Sequence, residues 1–223
     1  MNGILSSTPD KVIFDMDGLI FDSERVFMRA LRAEAENFGY TITEEDYQQT
    51  LGLAGEALFK KTTELYGAEY PHCELSRLAR ARVDATALKE GLPIKSGIRE
   101  LLMFLKYSGI PCAVASSTHT EYVERYLEAS GLRRYFDTVI GGDMVRRSKP
   151  EPDIFLIAAG STPAVNTLVL EDSENGIIAA SRAGIPVICI PDMVYPSEEI
   201  QRLTVGIVRS ASDITEIIRR TMR

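Results

Sequence analysis

Residues 12–18 read Val-Ile-Phe-Asp-Met-Asp-Gly, an apolar run that ends in two carboxylates and a glycine. If residues 12–14 form a buried strand, Asp15 and Asp17 lie at its carboxyl end, where open α/β sheets gather their ligands. An acidic tight turn would show the same pattern, because Asp and Gly both suit such turns. Taken alone, the motif supports a structural and a functional interpretation about equally.

Composition limits the kind of protein and ligand. The chain has 223 residues, 45% of them hydrophobic, which is enough to build the core of a globular protein. Its formal charge of -7 argues against a broad nucleic-acid surface, which would need a dominant basic patch. We therefore expect a small ligand and no nucleic-acid partner, while oligomeric state is not indicated.

Three scattered cysteines and the lack of long apolar segments bear on location. Cys112 and Cys189 fall inside apolar runs, which is typical of buried small hydrophobes, and no C-x-x-C occurs. No segment has the apolar length needed to cross a bilayer, and residues 1–11 lack the pattern of a targeting signal. These features predict a reduced, cytoplasmic setting without membrane association.

The hydrophobic pattern changes twice along the chain. From about residue 23 to residue 88 it predicts helix after helix, whereas beyond residue 93 short apolar runs alternate with helices. The expected strands are residues 12–14, 111–115, 138–140, 167–170 and 186–190. Strand and helix in alternation are typical of a parallel sheet with helices on both faces.

The fold class predicted is α/β, with a doubly wound, mostly parallel, Rossmann-like sheet core and an inserted all-helical domain. The core would comprise residues 1–22 and 90–223, and the helical domain residues 23–89. Capping signals mark several helix starts. Ser23 and Thr43 each fit a helix amino terminus, and Thr118 with Glu121 has the spacing of a capping box.

Two further polar segments follow or precede these elements. Ser116 and Ser117 come after the strand at residues 111–115 and before a helix, whose free N–H groups and positive end favour a phosphate. Lys149 precedes a proline-stiffened backbone that suits a positioned ammonium. Each group also has a plain structural interpretation, as serines that cap a helix and a lysine in solvent.

A second acidic pair, Glu171 and Asp172, ends the apolar run of residues 167–170. If this strand neighbours the one before Asp15 and Asp17, the carboxylates form an oxygen-rich pocket that repels itself without a cation. Mg²⁺ is the natural occupant, because it prefers a few carboxylates together with water and substrate phosphate oxygens. The alternative is that Asp172 and Ser173 only cap the next helix.

Taken in order, these segments resemble the haloacid dehalogenase superfamily, in its branch of β-phosphoglucomutases and phosphoglycolate phosphatases. The resemblance covers nearly the whole chain and implies that the helical domain is a cap inserted after the first strand. It rests on Asp15, Asp17 and Gly18 with Asp22 and Ser23, on Ser116, on residues 149–153, and on residues 171–173 followed by Gly176, Ala179, Ala180, Ala183 and Gly184.

The resemblance also implies roles for single residues. Asp15 looks like the nucleophile that forms an aspartyl-phosphate, and Asp17 is similar to the general acid and base. Ser116, with Ser117 beside it, would bind phosphate oxygens, and Lys149 would neutralise charge between the phosphate and Asp15. A carboxylate at position 17 favours phosphoryl transfer, because the family's dehalogenases lack one there.

The same resemblance implies a Mg²⁺ site. Asp15, the backbone carbonyl of Asp17, and Asp172 would hold the ion, with Glu171 either a direct ligand or a support for the ligands. The expected substrate is a small phosphorylated metabolite.

The choice between phosphatase and mutase depends on the cap. β-Phosphoglucomutases carry a His after the first motif and an Arg early in the cap, and the corresponding positions here are Phe27 and Gly55. Their replacement favours a phosphatase acting on a small phosphomonoester such as a sugar phosphate. Lys60, Lys61 or Arg25 could restore a cationic contact, so a phosphohexomutase stays as the alternative and a non-catalytic metabolite-binding protein as the third.

Overall fold

The computed structural model describes residues 4–53 and 55–222. Residues 1–3, part of the segment predicted to lack a targeting signal, and Ala54, near the start of a predicted helix, lie outside the described residues. None of the helices in the described part of the chain combines the length and apolar character that a bilayer crossing requires.

The described residues form one sheet of parallel strands in the order β3-β2-β1-β4-β5-β6. The strands are β1 (Lys11–Phe14), β2 (Cys112–Ala115), β3 (Thr138–Ile140), β4 (Thr167–Glu171), β5 (Val187–Cys189) and β6 (Gly206–Ile207). The predicted parallel α/β sheet is therefore confirmed. The two-residue strand β6 was not predicted, because a glycine and one half-buried isoleucine carry no periodic signal.

The helices are α1 (Ser23–Asn37), α2 (Glu44–Gln48), α3 (Gly55–Tyr66), α4 (His72–Glu90), α5 (Ile98–Tyr107), α6 (Thr120–Ala129), α7 (Asp153–Ala159), α8 (Glu174–Arg182), α9 (Glu198–Gln201) and α10 (Ala211–Thr221). The first four follow β1 without an intervening strand, as the pattern predicted.

Strand β1 lies in the middle of the sheet and is buried on both faces. Val12 and Phe14 pack in one apolar cluster, with residues of α5, α6 and α10, whereas Ile13 packs in another, with residues of α7 and α8. Successive side chains of a strand point to opposite faces, so each face needs its own layer of helices. This arrangement is the doubly wound architecture and it places the end of β1 at the centre of the sheet edge.

Helices α1 to α4 have a small apolar cluster of their own, which includes Met28, Tyr47 and Leu75. The second half of α4 also joins the large core, through Val83 and Ala87. The insert is thus anchored on the core by its last helix. The boundaries predicted after residues 22 and 89 stay a prediction.

Two predicted helix caps are wrong, and both side chains serve the sheet edge instead. Helix α1 begins at Ser23 itself, whose Oγ accepts a hydrogen bond from the N–H of Gly18 at 3.2 Å. Helix α6 begins at Thr120, and the hydroxyl of Thr118 donates to Asp17 rather than capping the helix. The predicted cap at Thr43 is confirmed, since its hydroxyl accepts from the N–H of Asp46 at 3.0 Å.

Candidate active site

The carboxyl ends of β1, β2 and β4 bring the predicted residues to one place. Phe14, the last residue of β1, is paired with Val114 of β2 on one side and Leu170 of β4 on the other. Asp15 therefore follows β1 at the level where Glu171 closes β4. Neighbouring parallel strands end at the same edge, so residues distant in sequence meet there.

Lys149 donates hydrogen bonds to three groups at the site. Its Nζ donates to Asp15 Oδ1 at 2.5 Å, to Glu171 Oε1 at 2.8 Å and to the carbonyl of Ala115 at 3.1 Å, which uses all three donors of an ammonium group. Only 6% of the side chain is exposed. Burial lowers the pKa of Lys149, but its ion pairs with Asp15 and Glu171 outweigh burial and raise the pKa above its ordinary value.

Glu171 is fully buried and both of its oxygens are engaged by protein donors. Oε1 accepts from Lys149, and Oε2 accepts from the N–H of Asp172 at 2.8 Å, the N–H of Ser173 at 2.9 Å and the hydroxyl of Ser173 at 3.0 Å. Gly176 is required beneath it, because a Cβ at that position would collide with the Glu171 carboxylate. Both oxygens of Glu171 therefore accept from protein donors, and its two predicted roles, as a direct metal ligand or as a support for the ligands, stay predictions.

Asp17 is held by the turn after β2. Its Oδ2 accepts from the hydroxyl of Thr118 at 2.9 Å and from the hydroxyl of the fully buried Ser116 at 3.3 Å. The N–H of Thr118 in turn donates to Ser116 Oγ at 3.0 Å. Sequence reasoning missed Thr118, because its spacing to Glu121 mimics a helix cap. Ser117 is exposed, and in the part of the chain that the structure describes it makes no hydrogen bond to Ser116, Thr118 or Asp17.

The carboxylates crowd each other. Burial raises the pKa of Asp15; the Lys149 ammonium lowers it, while the charges of Glu171 and Asp17 raise it further. Burial also raises the pKa of Asp172 well above its ordinary value, and the negative charges of Glu171 and Asp15 act in the same direction. Negative charge at this edge therefore exceeds what one lysine can balance.

This donor set fits Mg²⁺. The Asp172 carboxylate lies directly against the backbone of Gly18, where a Cβ would collide with it and where φ is +79°. Within residues 4–53 and 55–222, no three or more His, Cys, Asp or Glu side chains form a group that could hold a metal ion by themselves. Mg²⁺ typically takes one or two carboxylates and keeps water or phosphate oxygens for its other positions, so Asp15 and Asp172 suffice chemically.

A cavity of about 470 Å³ runs from Asp17 and Thr118 into the helical insert. Glu24, Tyr47 and Arg80 line it on the insert side, and the Tyr47 hydroxyl donates to Glu24 Oε2 at 2.7 Å. A second cavity, of about 350 Å³, lies on the Asp172 side and shares Glu24 with the first. Asp17 and Asp172 therefore face two neighbouring cavities, which share Glu24 and residues 51–53 in their walls.

The cations named as substitutes for the mutase arginine do not line the larger cavity. Lys60 is exposed, Lys61 pairs with Glu64 at 3.3 Å, and Arg25 pairs with Asp22 and Asp192. Phe27 does line the cavity, and the guanidinium carbon of Arg80 lies 5.4 Å from the centre of its ring. Arg80, on the long helix α4, gave no signal in the sequence that separated it from other arginines of that helix.

Three features together define a haloacid dehalogenase-like hydrolase. They are the doubly wound sheet, the acidic pair after its central strand, and the lysine that bridges to a second acidic strand end. The sequence model of that family matches residues 12–190, and the chain belongs to the family. Its relatives place it in the branch that contains phosphatases and β-phosphoglucomutase-like proteins.

Three similar proteins illustrate the relationship. A phosphorylated carbohydrates phosphatase of Thermotoga maritima is 33% identical over 181 residues, and the match covers 79% of this chain and 82% of that protein. Hexitol phosphatase B of Escherichia coli is 32% identical over 195 residues, and the match covers 83% of this chain and 86% of the relative. A crystal structure from Thermotoga maritima, described as a candidate β-phosphoglucomutase, superposes with a TM-score of 0.77 at 27% identity and covers 94% of this chain and 98% of its own.

Proposed function

We propose that this protein is a Mg²⁺-dependent phosphatase that hydrolyses a small phosphomonoester, a sugar or sugar-alcohol phosphate, through an aspartyl-phosphate on Asp15. One observation carries the proposal: a carboxylate held by a buried lysine lies beside a second carboxylate that two hydroxyls orient. The phosphorylated carbohydrates phosphatase and the hexitol phosphatase among its relatives support this choice of substrate.

Asp15 is placed to attack phosphorus. Lys149 holds Asp15 Oδ1, which leaves Oδ2 to form the new bond to phosphorus as the ester oxygen departs. We propose that Ser116, the exposed turn at Ser117, and Lys149 bind the phosphate oxygens. When bound, Mg²⁺ supplies positive charge against the phosphate, and Asp15, Asp172 and the carbonyl of Asp17 would hold it.

We propose that Asp17 acts as the general acid and base. It donates a proton to the departing alcohol oxygen, and it then removes a proton from the water that displaces Asp15 and releases inorganic phosphate. Thr118 and Ser116 fix the carboxylate while its charge changes, because their hydroxyls donate to one oxygen and leave the other for the reacting groups.

We further propose that residues 23–89 act as a cap over the core formed by residues 1–22 and 90–223. The cytoplasmic location stays a prediction.

The proposal is tested with purified protein and a panel of sugar phosphates, sugar-alcohol phosphates and p-nitrophenyl phosphate. We expect phosphate release with Mg²⁺, its loss on addition of a chelator, and its return when Mg²⁺ is restored in excess. Absence of release from every compound in the panel would contradict the phosphatase proposal.

A phosphohexomutase is the second candidate, and the likeness to a structure described as a candidate β-phosphoglucomutase favours it. A mutase must hold a second phosphate away from the reacting one, and Arg80 is the charged donor of the insert that faces the cavity. The mutase proposal predicts interconversion of hexose 1-phosphate and 6-phosphate when a hexose bisphosphate is added as primer. Phosphate release without interconversion would exclude it for these substrates.

Thr118→Val tests the orientation of Asp17. The substitution keeps the shape of the side chain but removes the hydroxyl that donates to Asp17 at 2.9 Å. A hydrogen bond to a charged group is worth about 1.5 to 3 kcal/mol, so we expect kcat to fall by about tenfold or more. KM should change little, because Asp17 acts on the departing oxygen. The matched control is Thr86→Val on the exposed side of α4, where the hydroxyl contacts only a backbone carbonyl of its own helix. An unchanged kcat for Thr118→Val would show that Asp17 needs no such support.

A further inference from the structure

The larger cavity has a charge balance that discriminates between leaving groups. We propose that it selects a neutral, polyhydroxylated leaving group and disfavours one that carries a second anionic group. This inference rests on the proposed phosphatase function, and it adds which charge the leaving group can carry and which residues select for it.

The position of Asp17 shows which cavity takes the leaving group. The residue that protonates the departing oxygen must lie within hydrogen-bond distance of it. Asp17 and its partner Thr118 line the larger cavity, whereas Asp172 lines the smaller one. The carbon chain attached to the departing oxygen therefore extends into the larger cavity, whose volume of about 470 Å³ is in the usual range for small-molecule sites.

The charged groups around this cavity are mostly negative. Apart from Asp17, which carries the proton for the departing oxygen, the lining residues that the structure describes include the carboxyl groups of Glu24 and Asp84, and Arg80 is the one arginine or lysine. His72 also lines the cavity, and burial lowers its pKa, which favours the neutral imidazole. Burial raises the pKa of Glu24, and the hydrogen bond from Tyr47 acts against this rise. A second phosphate or a carboxylate would therefore meet like charges, and such repulsion is a common source of specificity.

The carboxylates of Glu24 and Asp84 are held by protein donors, and each can accept further hydrogen bonds. Glu24 Oε2 accepts from the Tyr47 hydroxyl at 2.7 Å, and Asp84 Oδ1 accepts from the Tyr126 hydroxyl. Each carboxylate has a second oxygen and further lone pairs, which the hydroxyls of a polyol can satisfy. A second phosphate group consists mainly of acceptor oxygens. It would face the carboxylate oxygens of Glu24 and Asp84 and could donate no hydrogen bonds to them.

Arg80 does not reverse this balance. Its guanidinium stacks over the Phe27 ring and is largely exposed, so solvent screens its charge more than that of the partly buried Glu24. Its guanidinium has donors only, and these donors can serve the hydroxyl oxygens of a polyol. A hydroxyl both donates and accepts, and it therefore matches a wall made of carboxylates and one guanidinium.

The test compares two six-carbon phosphates that differ at one end only. Sorbitol 6-phosphate carries a hydroxymethyl group where 6-phosphogluconate carries a carboxylate. We expect kcat/KM to be about tenfold higher or more for sorbitol 6-phosphate, equivalent to about 1.4 kcal/mol. Equal values, or a preference for 6-phosphogluconate, would overturn the inference.

Three variants locate the cause of the preference. Glu24→Gln keeps an acceptor for Tyr47 but removes a charge, so the preference should fall by about threefold or more. Arg80→Met removes the cation, and the preference should rise. Glu36→Gln removes the same charge as the first variant, from the exposed side of the same helix, and should leave the ratio unchanged. A purely structural role would not move the ratio in opposite directions, and an unchanged ratio in both Glu24→Gln and Arg80→Met would refute the assignment to this cavity.

Methyl phosphate separates the two levels of the argument. Its leaving group is too small to reach Glu24 or Arg80, so Mg²⁺-dependent release from it reports on the proposed function alone. Release from methyl phosphate together with equal use of the two six-carbon phosphates would refute the inference and leave the phosphatase standing. No release from any of the three, or from any compound of the panel described under the proposed function, would refute the phosphatase, and the inference with it.

Discussion

Asp15→Asn is expected to reduce phosphate release by about a thousandfold or more, the largest effect on activity predicted for this protein. The amide has nearly the shape of the carboxylate and can still accept from Lys149, but it is not a nucleophile that forms an acyl phosphate. Rapid acid quenching followed by intact-mass measurement should show one added phosphoryl group on the wild-type chain and none on the variant.

The matched control for this variant is Asp10→Asn. Asp10 lies just before the same strand, is exposed, and contacts the side chain of Asn166. We expect its activity to stay within about twofold of wild type, as is usual for exposed positions. Full activity in Asp15→Asn, or a phosphoryl group that persists on it, would mean that another residue is the nucleophile.

Lys149→Met is expected to have the largest effect on stability. Removing one partner from a buried ion pair leaves uncompensated charge, which costs about 3–5 kcal/mol of the free energy of unfolding. Here the Asp15 and Glu171 carboxylates would face each other without the ammonium that now lies 2.5 Å from one and 2.8 Å from the other. Chemical denaturation measures the loss, and phosphate release should fall by about a hundredfold or more.

A second substitution separates charge from packing in this variant. The double variant Lys149→Met with Glu171→Gln removes one of the two carboxylates that lose their ammonium partner. Part of the lost stability should therefore return, while activity stays low. Lys60→Met serves as the control, because Lys60 is exposed on α3 and its loss should change neither quantity. If the double variant is less stable than Lys149→Met alone, the destabilisation arises from packing and not from unbalanced charge.

Much of the sheet and part of the site could be predicted from local signals. Each predicted strand was an apolar run, and a buried parallel strand must be apolar on both faces, as Val12 and Ile13 are. Asp15 and Lys149, which are far apart in sequence, meet at one sheet edge because strand topology brings the ends of parallel strands together.

Other features depend on contacts that no local pattern encodes. The hydroxyl of Thr118 can cap a helix or hold a carboxylate, and only the path of β1 beside β2 decides that it meets Asp17. Glu24 and Arg80 lie on different helices of the insert, and their shared cavity depends on how those helices pack. Sequence alone named Lys60, Lys61 and Arg25 as candidate cations and not Arg80, because exposure cannot be read from a charged residue on a helix.

The spacing of Asp15 and Lys149 along the chain has a consequence for synthesis on the ribosome. A nascent chain that has emerged only as far as Thr118 already carries both aspartates of the first motif and the hydroxyls that orient one of them. It still lacks the ammonium that balances them and the strand that fixes this ammonium through Glu171. Since chains emerge amino terminus first, the amino-terminal half carries unbalanced acidic charge until the carboxyl-terminal half docks. Phosphate release would then report that both halves have joined.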